Sequence, residues 1–200
     1  MTAVEDLCNE ALRRISYPTP IGSIMEGSRA ARVAVELYAQ TRDDLLRGSD
    51  WDFARQAMTL TLLKTAPVGG YSAAAWTTAY PPVPWIYEYA YPAGCLEIRS
   101  VRPTPIVIPE FDPQPNIFVL GFDASLGSPS RVVLTNLAAA QAVYTGAVTD
   151  PNQWNSSFQE ALVEALGRRF QEALNPNPNM AQQRGLEERA TEAEAPMRRG

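Results

Sequence analysis

The chain of 200 residues contains no histidine at all. This absence excludes Ser-His-Asp and Cys-His nucleophile chemistry, histidine metal sites and the commonest general base of enzymes. The glycines form no phosphate-binding loop, and the stretch "PVGGYSAAAW" matches neither dinucleotide nor P-loop spacing. No cysteine or acidic cluster has the spacing of a metal site. The sequence therefore predicts no catalytic residues, no metal and no cofactor.

Cysteine and lysine are also scarce. The two cysteines, Cys8 and Cys95, lie in dissimilar contexts, and Cys8 falls on an apolar helical face, which favours a buried free thiol. Lys64 is the only lysine among seventeen basic residues, so arginine dominates, and arginine suits bidentate contacts with carboxylates at interfaces. The net charge is −5 without any basic block, which argues against a protein that holds nucleic acid through its phosphates. The same charge is compatible with a protein past which DNA moves without being bound.

No apolar run reaches the eighteen residues of a membrane-spanning helix. The opening residues "MTAVEDLCNE" are acidic and lack the basic-then-apolar order of a signal peptide. We therefore expect a cytosolic protein without a membrane partner.

Two acids, Asp50 and Asp52, flank Trp51. A glycosidase pair is conceivable at this spacing, because alternate residues of a strand share a face. A cap or turn role for Asp50 explains the same pattern, and no cleft is indicated that would perturb either acid. We favour the structural interpretation.

Helical spacing of apolar residues predicts helices near both ends of the chain, and short alternating runs rich in aromatics predict strands between them. We expect an α+β protein: a helical bundle built from the N- and C-terminal helices, with an inserted small antiparallel β lobe. The predicted boundaries are residues 1–50 and 150–176 for the bundle, 51–149 for the lobe, and 177–200 for a C-terminal extension. In the segment "LLRGSDWDFARQ", Gly48 is expected to end a long helix, and Trp51 and Phe53 are expected to share one face of a strand and to join the lobe to the bundle.

The lobe contains an irregular loop at residues 65–84 with the aromatic side chains of Tyr71, Trp76 and Tyr80. Loops of this length are often binding loops, and aromatic residues are favoured at interfaces. A proline-pinned loop packed on its own sheet is the equally acceptable alternative. Arg32 and Glu36 lie on the polar face of the second helix.

Several segments in order resemble the head-to-tail adaptor family of tailed phages, the tail tubular protein A or gatekeeper-like adaptors of short-tailed phages. The resemblance extends from Val4 to about Leu174. It rests on the following residues: Glu26, Ser28 and Ala31 at a helix start, Tyr38, Leu45 with Trp51, Phe53 and Ala54, Tyr89 with Pro92, Cys95 and Leu96, and Tyr144 and Thr145 before Asp150, Trp154 and Phe158. Gly94 departs from the pattern, because an acidic residue is usual there.

The resemblance implies a structural virion protein at the head-tail junction, assembled in the host cytoplasm. It implies a dodecameric ring that connects the portal protein to the tail nozzle protein. Genomic DNA would pass through its channel without specific binding. The family offers no catalytic residues to transfer, although a few adaptors are linked to cell-wall hydrolysis. A virion-associated peptidoglycan hydrolase and a free-standing cytosolic binding module therefore remain the alternatives.

Under this interpretation, two groups of residues are candidates for contacts. The C-terminal extension is the expected portal-binding element, because it is helix-prone, weakly amphipathic and rich in arginine. Its candidate residues are Arg184, Leu186, Arg189, Arg198 and Arg199. The candidates for subunit or tail contacts are Tyr71, Trp76, Tyr80, Arg32 and Glu36.

Overall fold

A computed structural model describes residues 3–104 and 117–174. The chain divides into two compact units, one formed by Met1–Ala54 with Ala147–Gly200 and the other by Arg55–Gly146. We call them the helical unit and the β unit. The predicted C-terminal extension, with Arg184, Leu186, Arg189, Arg198 and Arg199, lies outside the described residues.

The helical unit contains α1 (Val4–Arg14), α2 (Arg29–Gly48) and α3 (Ser156–Leu174). Both α1 and α2 pack on α3. The start of α2 is capped by Ser28, whose hydroxyl accepts a hydrogen bond from the backbone N–H of Ala31 at 3.2 Å and donates one to Glu26 at 2.6 Å. The helix ends at Gly48, as the sequence predicts.

Charged contacts also hold α3 within this unit. Arg14 of α1 forms an ion pair with the buried Glu164, and Arg169 reaches Asp44 of α2 at 2.8 Å. The Arg29 guanidinium donates to the carbonyl oxygen of Ala173 at 3.0 Å. These contacts fix both partner helices against α3, beyond the apolar packing between them.

The β unit contains two antiparallel sheets. Its strands are β1 (Arg55–Thr59), β2 (Leu62–Thr65), β3 (Tyr87–Ala90), β4 (Cys95–Pro103), β5 (Phe118–Asp123), β6 (Ser130–Thr135) and β7 (Ala140–Gly146). The three-stranded sheet has the order β1-β7-β4, and the four-stranded sheet has the order β2-β3-β6-β5. One apolar core joins side chains of both sheets, with Tyr89 and Val133 from one and Val101 and Ala142 from the other. The two sheets therefore form a small sandwich.

The predicted architecture, a helical bundle with an inserted small β lobe, is wrong. The protein is α+β, but the part of the chain that the structure describes has three α-helices and seven strands in two sheets. This part is therefore mostly β-rich, and the β lobe is not a small insertion. The run "MTLTLL" illustrates why local pattern does not give the sheets. It alternates like a single strand, yet it divides between β1 and β2, which belong to different sheets, with the buried Leu60 between them.

Candidate functional site

The aromatic residues at the end of α2 belong to the core of the helical unit. The Trp51 indole N–H donates to the carbonyl oxygen of Leu45 at 3.0 Å, and its ring meets Phe158 edge-on with the centroids 4.9 Å apart. Phe53 and Trp154 also pack against Phe158, at centroid distances of 5.2 and 5.0 Å. The placement of Trp51 and Phe53 on a strand is wrong, because Trp51 precedes a short 3-10 helix, Asp52–Ala54, that contains Phe53. Their role as a joint to the lobe stays a prediction.

Other residues singled out in the sequence lie at the surface of the helical unit. Asp50 and Asp52 are both exposed. Exposed carboxylates keep their hydration, so this pair lacks the buried environment that a catalytic acid requires. Arg32 and Glu36 are exposed on α2, and their proposed contact with another subunit or the tail stays a prediction.

One concave site is a pocket of about 360 Å³ within the β unit. It lies on the face of the four-stranded sheet opposite the core, and its floor includes Gly121, Val132 and Leu134. A Cβ atom at Gly121 would stand 3.1 Å from the Leu134 side chain and 3.3 Å from the Val132 side chain, so the floor is closely packed there.

The long loop predicted from the sequence contributes one side of this pocket through Trp76, Thr78, Tyr80 and Pro82. The loop also has internal contacts. The Trp76 indole N–H donates to the carbonyl oxygens of Tyr80 and Pro81, both at 3.1 Å, and the Tyr71 and Tyr80 rings lie 5.4 Å apart. The loop is thus organised by its own hydrogen bonds and rings, while the Trp76 side chain stays 44% exposed.

A charged cluster lies at the pocket and joins three strands. Lys64 of β2 forms an ion pair with Asp123 of β5, donates to the Ser125 hydroxyl at 2.8 Å, and approaches Oε1 of Glu88 on β3 at 3.6 Å. Glu88 is only 2% exposed. A bulge between Leu62 and Lys64 sets Lys64 directly opposite Glu88 in the strand register.

The two acids of this cluster have opposite protonation preferences. Burial raises the pKa of Glu88 to about 7, and its hydrogen bond with Asp123 adds to the rise, while the charge of Lys64 opposes it. For Asp123, hydrogen bonds from Lys64 and Ser125 overcome the effect of burial and hold the pKa below its usual range. A protonated Glu88 thus donates its proton toward an ionised Asp123.

This pair differs from the acids of a glycosidase. Retaining glycosidases separate their two carboxyl groups by about 5 Å and inverting ones by more, to leave room for the sugar or for water. Glu88 and Asp123 instead share a hydrogen bond, and Lys64 neutralises the ionised partner. The arrangement suits recognition of a ligand at the pocket rather than glycosidic bond cleavage.

Sequence reasoning missed Lys64, Glu88 and Asp123, although two signals were present. Lys64 is the only lysine, and Glu88 is a charged residue in the middle of the aromatic run "WIYEYAY". Their meeting depends on the bulge in β2, because regular alternation would have placed Lys64 on the same face as Leu62, which pairs with Tyr89. Pairing across strands with a bulge is set by tertiary structure, which the local pattern does not contain.

The β unit also has the greater share of exposed apolar side chains. Among the described residues, ten of twelve large exposed hydrophobic side chains belong to this unit, and Met25 and Val35 are the two in the helical unit. The ten are Met58, Leu62, Leu63, Val68, Trp76, Val83, Ile86, Ile117, Val119 and Phe122. Exposed apolar surface concentrated on one unit is typical of a protein that buries it against a partner.

In comparisons with known proteins, no family model matches this chain, and the search of curated proteins gives no match. Within residues 3–104 and 117–174, no helix has the length and apolar character needed to cross a membrane. The same described ranges contain no group of three histidine, cysteine or acidic side chains arranged to hold a metal ion.

Proposed function

We propose that this protein is a structural subunit of a phage head-to-tail adaptor, a ring that connects the portal protein to the tail nozzle protein. The proposal starts from the resemblance in the order and spacing of segments between Val4 and about Leu174. The ring, dodecameric in the proposal, belongs to the virion at the head-tail junction and forms in the host cytoplasm. No catalytic step is part of this function.

The observation that carries the proposal is the distribution of exposed apolar side chains. An adaptor subunit must contact neighbouring copies, the portal above and the nozzle below, so much of its surface is buried in the assembled particle. The concentration of such side chains on the β unit supports this expectation, and Phe122, at 70% exposure, is one of its largest members.

Contacts among the residues that carry the resemblance give further support. Glu26, Ser28 and Ala31 form one hydrogen-bonded helix start. Trp51 and Phe158, which come from segments far apart in sequence, pack in one aromatic cluster.

The acidic balance of the chain agrees with a channel for DNA. With a net charge of −5, the subunit as a whole repels the phosphates of DNA. This repulsion acts within about 10 Å, the screening length at moderate salt, and favours sliding of the genome. DNA is therefore a molecule that passes through the ring, and the proposal includes no sequence-specific or tight nucleic-acid binding.

The direct experiment mixes the purified chain with portal rings and images the product by electron microscopy. We expect an added ring of density on one end of the portal. The double variant Leu62→Ser/Leu63→Ser, which changes two exposed side chains of β2, should reduce ring formation at least tenfold while its unfolding transition stays close to that of the parent chain.

The matched control is Met25→Ser/Val35→Ser, which removes two exposed apolar side chains from the helical unit instead. We expect this control to assemble as well as the parent chain. A parent chain that stays monomeric beside portal rings would contradict the adaptor proposal, and release of soluble fragments from peptidoglycan would favour the hydrolase instead.

A further inference from the structure

The pocket of the β unit contains a buried carboxyl oxygen whose hydrogen-bonding capacity is unused. Oε1 of Glu88 accepts no hydrogen bond from any residue that the structure describes, and its nearest cation, Lys64 Nζ, stands 3.6 Å away. The Glu88 side chain is 98% buried and lines the pocket. Leaving such a buried acceptor unpaired is unfavourable, because it has lost its hydrogen bonds with water without gaining others. A ligand that donates a hydrogen bond there would recover this free energy.

The other polar groups at this end of the pocket already have partners. Lys64 donates to Asp123 and to the Ser125 hydroxyl. Asp123 also accepts from the backbone N–H and the hydroxyl of Ser125, both at 2.8 Å. At this end of the pocket, Glu88 Oε1 is therefore the group that lacks a hydrogen-bond donor. A polyhydroxyl ligand such as a sugar would find few free partners here.

The remaining walls of the pocket are apolar or aromatic. Trp76 and Tyr80 line it together with the floor residues Val132 and Leu134. The indole N–H of Trp76 is occupied by two backbone carbonyl groups, so the ring offers its aromatic surface rather than a donor. Planar cations stack on such rings, and arginine does so more readily than lysine.

We propose that this pocket binds an arginine side chain of a partner protein, with the guanidinium donating to Glu88 Oε1 and the apolar stem lying along the sheet floor among the aromatic walls. Charge complementarity selects this occupant, because Lys64 and Asp123 neutralise each other, so the site becomes negative when Glu88 is ionised. The inference goes beyond the adaptor assembly proposed above and does not rest on it.

The site should couple binding to proton release. The charged groups that act on Glu88 are Lys64 from β2 and Asp123 from β5. The titratable Tyr80 of the loop also lines the pocket, and the lining residues of β6 are the apolar Val132 and Leu134. Since Glu88 is protonated below about pH 7, a bound guanidinium must displace that proton. Affinity should therefore rise about tenfold between pH 6 and pH 8.

The test titrates the full chain with the blocked tripeptide acetyl-Gly-Arg-Gly-amide in a calorimeter. We expect a dissociation constant on the order of 1 mM at pH 8. At pH 7, titrations in buffers of different ionisation enthalpy should show net proton release. The matched ligand acetyl-Gly-citrulline-Gly-amide has nearly the same shape without the charge and should bind at least tenfold more weakly.

Two variants and one further ligand complete the test. Glu88→Gln should weaken binding of the arginine tripeptide at least tenfold at pH 8 and abolish the proton release, whereas Glu172→Gln, at an exposed acid of α3, should change neither. Equal affinity for the arginine and citrulline tripeptides would overturn the proposal. Binding of phenethylammonium without binding of the arginine tripeptide would also overturn it, and would assign the pocket to a small aromatic amine.

Discussion

Arg14 and Glu164, separated by 150 positions in the chain, form an ion pair in which the carboxylate side chain is only 2% exposed. Removing the arginine would leave a buried charge without its partner. We therefore expect Arg14→Ala to lower the free energy of unfolding by about 3 kcal/mol, as is usual when one member of a buried pair is lost. Urea denaturation followed by circular dichroism measures this loss.

The neighbouring Arg13 provides the control for this variant. It also forms an ion pair, with Glu10, but its side chain is 66% exposed. Exposed pairs contribute little, so Arg13→Ala should cost less than about 1 kcal/mol. Equal losses in the two variants would show that burial of Glu164 does not govern the stability of the contact.

Substitution of Trp51 provides a second test, which concerns the packing of the core of the helical unit. Its side chain is 6% exposed and packs on Phe158, so Trp51→Ala should cost about 3–5 kcal/mol through the cavity that it leaves. Trp76→Ala removes the same side chain at a site that is 44% exposed and should cost about 1 kcal/mol or less. Thermal unfolding of both variants checks the difference. A mild effect of Trp51→Ala would mean that its ring does not form part of the core.

The raised pKa of the buried Glu88 predicts how the free energy of unfolding depends on pH. Its pKa is raised from an ordinary value of 4.5 to about 7 in the folded protein, so the folded state retains a proton that the unfolded state releases. Its contribution is fully present below pH 4.5 and is lost as pH rises through about 7, a change of about 3 kcal/mol. The lowered pKa of Asp123 has the opposite sign and acts only at more acidic pH.

Glu88→Gln isolates this contribution because glutamine stays neutral at every pH. Its free energy of unfolding, measured by urea denaturation, should fall less between pH 5 and pH 8 than that of the parent chain. Glu36→Gln, at an exposed position, should follow the parent chain. Parallel curves for the parent chain and Glu88→Gln would contradict a protonated Glu88 in the folded state.

Local patterns predicted the elements of this fold better than their arrangement. The helix of Arg29–Gly48 could be read from its apolar spacing, from Ser28 as its cap and from Gly48 as its end, since all three signals are local. Trp51 and Phe53 were placed on a strand because alternation over three residues does not distinguish a strand from a 3-10 turn. The contacts of these rings with Phe158 decide their conformation, and Phe158 lies far away in sequence.

The candidate site was less accessible to sequence reasoning than the fold. The loop with Trp76 and Tyr80 stood out by its length and aromatic content, and both residues line the pocket. Lys64, Glu88 and Asp123 come from three strands, and their meeting requires the order β2-β3-β6-β5 and the bulge in β2. Strand order is a property of the whole chain, so no local signal specified this cluster.

The last prediction concerns the segment after Asn175, which we propose as the portal-docking element. The sequence "NPNPN" follows α3, and its alternating Asn and Pro residues are a composition that favours turns and stiff linkers. Its arginines, among them Arg184 and Arg189, suit bidentate contacts with carboxylates on a partner. Truncation after Asn175 should leave the thermal unfolding transition nearly unchanged but prevent the chain from joining portal rings, as seen by electron microscopy.

A matched full-length variant separates charge from length in this experiment. Replacing Arg184, Arg189, Arg198 and Arg199 by glutamine keeps the segment but removes four cations. If arginine contacts provide the docking energy, this variant should fail to join portal rings as the truncated chain does, and raised salt should weaken docking of the parent chain, because charged contacts near the surface are screened. Normal docking of the truncated chain would reject the assignment and would make the loop of residues 65–84 the better candidate for the portal contact.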